Sequence, residues 1–324
     1  MRAQLATSYP GNAADRDAWV LSRRPSRNLV DPFQPYAFLV EDERAATGEI
    51  LPVATVFLTN RECPWRCLMC DLWRNTLEEN VPIGAIPAQI EYALQRLTPA
   101  RQIKLYNSGS FFDPRAIPTE DHRAIAARVA NFERVIVECH PALAGAACFR
   151  FKEILSGQLE VAMGLETVHP QILERLNKRM TTGQFEEAAK SLRNNNIDLR
   201  VFILVKPPFM MEEEALEWAV RSLEFAFECG ATAATLIPTR AGNGAMDELA
   251  GAGIFSPPKL ATLEAATEHG IAMNRGRVFA DVWDVRTASP CPTCYHLRIA
   301  RLQEMNLQQS ILPLIECDRC GGNS

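Results

Sequence analysis

The chain has 324 residues, 47% of them hydrophobic and 23% charged, and a formal net charge of −5. This is the composition of a soluble globular protein, and the length suits one α/β barrel with extensions or two ordinary domains. No run of about 18 apolar residues is present to span a bilayer, the N-terminal stretch lacks the apolar core of a secretory signal, and the negative charge excludes a general nucleic-acid coat; a cytoplasmic, reducing location is expected, where grouped cysteines bind metal more often than they form disulfides.

Residues 1–50 show weak periodicity and read as an extension that wraps the domain. Their basic cluster, SRRPSR at 22–27, supplies Arg23, Arg24 and Arg27 and reads as a solvated arm. Next come short β-branched or apolar runs: VATVFL (53–58), QIKLYN (102–107), RVIVEC (134–139), LEVAMG (159–164), LRVFILV (199–205) and AATLIP (233–238). Runs of this kind suit strands buried on both faces. Helical patterns lie between them, among them PAQIEYALQRL, HPQILERLNK and MEEEALEWAVRSLEFAFECG. The last has acidic residues in its first turn and Gly230 after its end, the polarity a helix favours. Six β-then-α units over 51–245 imply a parallel sheet with right-handed crossovers, either an open doubly wound sheet or a partial barrel. Residues 246–324 read as a loop, one more helix from FSPPKLATLEAATEHGIAM, the segment GRVFADVWD and a cysteine-bearing tail.

Of ten cysteines, three sit in CPWRCLMC just after the first run: Cys63, Cys67 and Cys70, spaced C-x3-C-x2-C. Thiolates are the usual ligands of a four-iron cubane, and a closed structural cluster takes four. Three leave one iron open, as three protein ligands leave a catalytic zinc open. The competing reading is a zinc site or buried thiols. The loop begins at the C-terminal end of a strand, where barrels and open α/β sheets place their chemistry.

The motif at that place resembles the radical S-adenosylmethionine superfamily over about residues 50 to 245. The resemblance implies a partial (β/α)6 barrel, with an N-terminal extension and a small cysteine-rich metal-binding tail, holding a [4Fe–4S] cluster on Cys63, Cys67 and Cys70. It implies that the amine and carboxylate of S-adenosylmethionine chelate the open iron. One electron then cleaves the sulfonium to a 5′-deoxyadenosyl radical that abstracts hydrogen from substrate. Met69 would lie against the adenine. Ser108, Gly109 and Ser110 of NSGSF would meet the methionine amine through backbone carbonyls or the two hydroxyls, since the acidic residue common at that place is missing; the serines could instead merely satisfy a turn. Glu166 of GLET would accept hydrogen bonds from the ribose, or else cap the following helix. Arg179 of KRMT would approach the cofactor carboxylate, and Lys206 of KPPF would bind a carboxylate or be solvated. Arg240 ends the sixth unit, as a site residue or a surface ion pair. Cys139 and His140 are the candidate catalytic pair, a hydrogen donor or substrate contact, against a packed core cysteine.

YNSGSFFDP, GLETVHPQILERLNKRMT and ILVKPPFMMEEEALE resemble the branch containing the Elongator catalytic subunit and the radical subunit of archaeosine synthase. That resemblance implies C–N cleavage in a lysine adduct of a 7-deazaguanine in tRNA, a partner subunit in tRNA modification, and a flavodoxin- or ferredoxin-like electron donor. Chemistry on a small molecule or peptide is the alternative within enzymes. A zinc-binding adaptor without activity is the alternative outside them.

The tail carries CPTC and CDRC, hence Cys291, Cys294, Cys317 and Cys320, close to the spacing of a four-thiolate zinc site. Zinc and a second iron–sulfur cluster both suit it. Between the pairs, Arg298 and Arg301 sit at helical spacing, compatible with RNA contact or with a purely structural closure of the barrel.

Overall fold

In the computed structural model, which describes residues 9–285, 287–288 and 290–321, every one of the six apolar runs becomes a strand. In chain order the elements are α1 (Ala13–Leu21), β1 (Ala37–Arg44), β2 (Ile50–Leu58), α2 (Ala85–Leu94), β3 (Gln102–Asn107), α3 (His122–Arg128), β4 (Arg134–Glu138), α4 (Ala146–Ile154) and β5 (Gln158–Glu166). They continue as α5 (Pro170–Arg175), α6 (Thr182–Asn194), β6 (Asp198–Val205), α7 (Glu212–Glu228), β7 (Ala233–Pro238), α8 (Ala245–Gly251), α9 (Leu260–Ala272), β8 (Arg277–Ala280) and α10 (Tyr295–Gln308). The strands form one curled sheet in the order β1 to β8. β2 through β8 run parallel, and β1 is antiparallel to β2. Helices cover the outer face, which buries side chains such as Val56, Leu105, Val137, Val161, Val201 and Leu236.

Two strands extend the sheet beyond the six units. The N-terminal extension contributes β1, whose AFLVEDER pattern places Glu41 and Glu43 on the inner side. The segment GRVFADVWD contributes β8. β1 and β8 are the two edges of the sheet, and they do not pair with each other. α10 packs over that seam against both strands. Its side-chain amides stand in for a ninth strand. The Val278 N–H donates to Gln309 Oε1 at 2.7 Å, and Gln309 Nε2 donates to Val278 O at 2.8 Å. Asn306 does the same for Ala280, at 2.8 Å in each direction. The edge groups are thus satisfied without a further strand.

The inner face is charged at its N-terminal end. Arg200 on β6 reaches Glu43 on β1 and Glu160 on β5, each at 2.6 Å. Lys104 on β3 reaches Glu43 at 2.6 Å. Arg277 on β8 meets Glu160 at 3.4 Å and donates to the Arg44 carbonyl on β1 at 3.1 Å, which ties the two sheet edges together at this end. Burial opposes the charge on Glu43, but Arg200 and Lys104 hold its carboxyl well below the usual range.

Replacing Asn306 with Ala strands the Ala280 N–H and C=O. The expected loss is about 1–3 kcal/mol in chemical denaturation, since a buried polar group is left without a partner. Hydrogen exchange should quicken at Val278–Ala280 and stay unchanged in β4.

Candidate functional site

Above the charged floor the barrel is hollow. A cavity of about 980 Å³ runs from the C-terminal strand ends down to Lys104 and Arg200. Inward-facing side chains explain it: Phe57, Tyr106, Phe202 and Phe279 form the wall, but below Glu166 β5 offers the small Ala162 and Gly164. The cysteine loop crosses the top, and Cys63, Cys67 and Cys70 all line the cavity.

That loop is clamped from several sides. Asn177 Nδ2 donates to Arg66 O at 2.9 Å, and Asn243 Nδ2 donates to Leu68 O at 2.8 Å and Cys70 O at 3.0 Å. The Leu68 N–H donates to Leu176 O at 2.9 Å. Glu62, just before the first cysteine, accepts Arg24, Arg27 and Arg66 at once. Trp65 stacks on His140 with ring centroids 3.7 Å apart. Clamps of this kind hold a loop in place while leaving its thiols free, and none of the three is in a disulfide.

The thiols suit a polynuclear iron cluster better than one ion. Burial pushes each of Cys63, Cys67 and Cys70 up to about 12, so three thiolates here call for a cation beside them. Their sulfurs do not all lie within 4.8 Å of one another. Among the described residues, the set of three or more such donors whose ligand atoms all fall within 4.8 Å of one another is Cys291, Cys294, Cys317 and Cys320. Gly109 leaves room on the facing wall. A Cβ there would sit 3.0 Å from Cys63 Cβ and 3.4 Å from its Sγ, at a φ of +143° that disfavours any side chain.

Several strand-end residues meet at this cavity. Met69, Ser108, Gly109, Cys139, His140 and Glu166 line it. Glu166 takes a left-handed φ of 66° and forms an ion pair with Lys178. Gly164 makes the space, because a Cβ there would collide with both charged groups. His169, not Glu166, caps the next helix. Backbone strain at a strand end beside a cavity is a frequent mark of a functional position.

Other expected residues are elsewhere. Arg179 points away from the cavity and pairs with Asp17 at 2.7 Å; its neighbour Lys178 points inward instead. Lys206 is neither solvated nor at the cavity. It donates to Ser256 Oγ at 2.6 Å and pairs with Glu212 at 3.1 Å, so the carboxylate it binds is the protein's own. Ser110 is turned to Cys139, its Oγ 3.4 Å from Sγ. Arg240 lines the rim and pairs with Asp71 at 3.2 Å.

The catalytic candidates are held by internal bonds. Cys139 donates to the His140 carbonyl at 3.2 Å, and burial pushes its thiol up to about 12, so it stays protonated. His140 Nδ1 accepts the Ala142 N–H at 3.2 Å, and Nε2 lies 3.1 Å from the Lys178 carbonyl, which fixes the Nε2–H tautomer. Burial, with Lys178 nearby, lowers its pKa to about 4. His140 is therefore a neutral platform for Trp65 and no proton shuttle at neutral pH.

Sequence reading passed over Glu138, the residue before Cys139. It ends β4 and lines the cavity, and its Oε2 accepts the Asn107 N–H at 2.8 Å. Burial raises its pKa to about 8, against the pull of the Asn107 N–H and Lys178. An acid closing an apolar strand was the available signal.

The basic clusters are spent inside the fold. Arg298 and Arg301 are 2% and 4% exposed, and both pair with Glu264 on α9. Arg24 sits on Glu62 and over the Trp73 ring, and Arg23 over the Trp19 ring. The expected RNA-facing helix and solvated arm are thus structural. In the tail, Cys291–Cys317 and Cys294–Cys320 sulfurs are 3.9 and 3.6 Å apart. A tetrahedral ion with metal–sulfur bonds of about 2.3 Å would hold its sulfurs about 3.8 Å apart. Among the described residues, no helix is long and apolar enough to cross a membrane.

No family model matches this chain. It is 24% identical over 315 residues to an uncharacterized protein of Methanocaldococcus jannaschii, covering 90% of this chain and 86% of that one. It is 28% identical over 186 residues to archaeosine synthase subunit beta of Methanosarcina acetivorans, covering 53% of each. The chain therefore spans about half the length of that synthase subunit. Among solved structures, methylornithine synthase superimposes with a TM-score of 0.52 at 10% identity, over 81% of this chain and 83% of that one. The curled sheet and its helices form an eight-stranded partial barrel, a fold shared with that enzyme.

Glu138 makes stability pH-dependent in the metal-free chain. Its folded pKa is raised from 4.5 to about 8. The stability it contributes is present below the ordinary carboxylate range and is lost as pH rises through about 8, because the unfolded carboxyl has by then released its proton. Replacing Glu138 with Gln removes that slope. The melting temperature of the variant minus that of the wild type should climb from about pH 5 to about pH 8; a flat difference would contradict the assignment.

Proposed function

We propose that this chain, which carries the fold of the radical S-adenosylmethionine superfamily, is an enzyme that holds a [4Fe–4S] cluster on Cys63, Cys67 and Cys70. The observation that carries the reading is the loop itself: three unpaired, half-buried thiols opening on one large cavity and not gathered within 4.8 Å of one another as the tail sulfurs are. With S-adenosylmethionine bound, such a cluster supplies one electron to the sulfonium and so a 5′-deoxyadenosyl radical for hydrogen abstraction. The chain's own residues do the rest. Met69, Ser108 and Gly109 wall the cofactor beside the loop, and Glu166, fixed by Lys178, offers a carboxylate for hydroxyls. The aromatic wall and the paired floor exclude water from a reactive intermediate.

For substrate, we take a modified nucleoside of tRNA, with C–N cleavage as the reaction class. The likeness to an archaeosine synthase subunit supports it. Since the basic clusters are committed to internal pairs, phosphate contacts would come from a partner subunit. A flavodoxin- or ferredoxin-like protein would supply the electron. Zinc is the ion we assign to the tail, on the sulfur separations. Burial of the same arginines favours a second reading, chemistry on a small molecule or peptide that enters the cavity whole.

Anaerobically reconstituted protein should release 5′-deoxyadenosine on reduction, and Cys63→Ala, Cys67→Ala and Cys70→Ala should each lose that release entirely. The triple variant should keep about one zinc per chain, as one four-thiolate site requires. A folded wild type that never binds iron would overturn the enzyme reading. Mass spectrometry of tRNA nucleosides from cells with and without the gene separates the two substrate classes: a changed deazaguanine-type nucleoside supports the first, and an unchanged profile the second.

A further inference from the structure

Acids on the cysteine side of the cavity are mostly neutralised. Glu62 is shared by three arginines, Asp71 faces Arg240, and Glu166 faces Lys178. Among the described residues, Glu138 forms no ion pair, although it lines the same cavity. The cation nearest in kind, Lys178, is closed on Glu166.

Its position ties it to the cluster loop. Glu138 fastens both ends of the Asn107–Phe111 turn: its Oε2 accepts the Asn107 N–H at 2.8 Å, and its carbonyl accepts the Phe111 N–H at 2.8 Å. In the middle of that turn, Gly109 presses against Cys63. The turn itself, NSGSF, has no acid, and its hydroxyls are in use. Ser108 Oγ donates to Leu72 O at 2.8 Å, and Ser110 Oγ donates to the Cys139 sulfur. Both serines are held in internal bonds, and neither brings the negative charge an acid would.

We propose that Glu138 accepts the α-amine N–H groups of bound S-adenosylmethionine, and so supplies from β4 the acid that the β3 turn lacks. The inference rests on the radical S-adenosylmethionine reading. A carboxylate that lines the cavity with one oxygen held by a backbone N–H is positioned to accept from a donor group with positive character. Such a group is what a half-buried carboxylate outside any ion pair needs. Glu138 is a binding and positioning residue here. It takes no part in breaking the sulfonium.

Equilibrium dialysis of the cluster-loaded full chain tests this, with S-adenosylmethionine and its desamino analogue, in which hydrogen replaces the α-amine. Glu138→Gln should weaken S-adenosylmethionine about 10- to 100-fold, the scale of one lost charged hydrogen bond, and leave the analogue unchanged. Glu138→Asp should recover part of the loss. Iron content and melting temperature report that each variant is loaded and folded. Equal binding of S-adenosylmethionine by wild type and Glu138→Gln would overturn the proposal, as would an equal loss for both ligands, which marks a structural role. A wild type that carries its cluster yet binds neither ligand would overturn the underlying reading as well.

Discussion

Arg200 sets the geometry on which the rest depends. From β6 it reaches across the barrel interior to Glu43 on β1 and to Glu160 on β5. Those two strands lie far apart in sheet order, so the guanidinium fixes how tightly the sheet curls. Lys104 and Arg277 complete the layer, and Arg277 also binds the β1 backbone across the open seam. A buried ion pair of this kind is not chiefly a source of stability, because desolvation offsets most of the attraction. Its worth here is positional. It closes one end of an unclosed barrel and leaves the space above it empty, and that space reaches up to the three thiols.

The two ends of the cavity follow opposite rules. At the floor Arg200, Lys104 and Arg277 meet Glu43 and Glu160, and burial is tolerated because these opposite charges are paired. At the top, the half-buried thiols and Glu138 have their pKa values raised, to about 12 and about 8. Titratable groups left without partners on a cavity wall are the ones that await a ligand. The tail cysteines belong to neither end. They sit at the start of α10, and α10 carries the Asn306 and Gln309 amides that finish β8. A filled tail site would therefore hold shut the seam of the chamber that the loop cysteines overlook.

Much of the fold was legible from periodicity. The six inner strands read as apolar runs because their outward side chains pack under the helices and several inward ones are aromatic or small. β1 was hidden because it alternates Phe38 and Val40 outward with Glu41 and Glu43 inward, a polar pattern that looks like an extension. β8 was hidden by its length, four residues between glycine and aspartate. For the site, cysteine spacing located the loop and the tail, since sulfur ligands cluster in sequence. Residues whose partners are distant in sequence were missed or misplaced. Lys178 rather than Arg179 turns inward because the chain reverses at Asn177 and Arg179, both at positive φ, which no spacing rule anticipates. Arg298 and Arg301 looked like a basic face because Glu264 lies on a different helix. Asn177 and Asn243 carry no sequence signature at all, yet they hold the cysteine loop.

The central claim is that the loop thiols carry an iron–sulfur cluster with one corner left for S-adenosylmethionine. Electron paramagnetic resonance of the reduced, anaerobically reconstituted chain, recorded before and after adding S-adenosylmethionine, tests it most directly. The expected result is a reduced-cluster signal whose g values and line shape change on addition, because the added molecule binds an iron. A cluster signal indifferent to S-adenosylmethionine, or a folded chain with a filled tail site and no reducible iron, would contradict the claim.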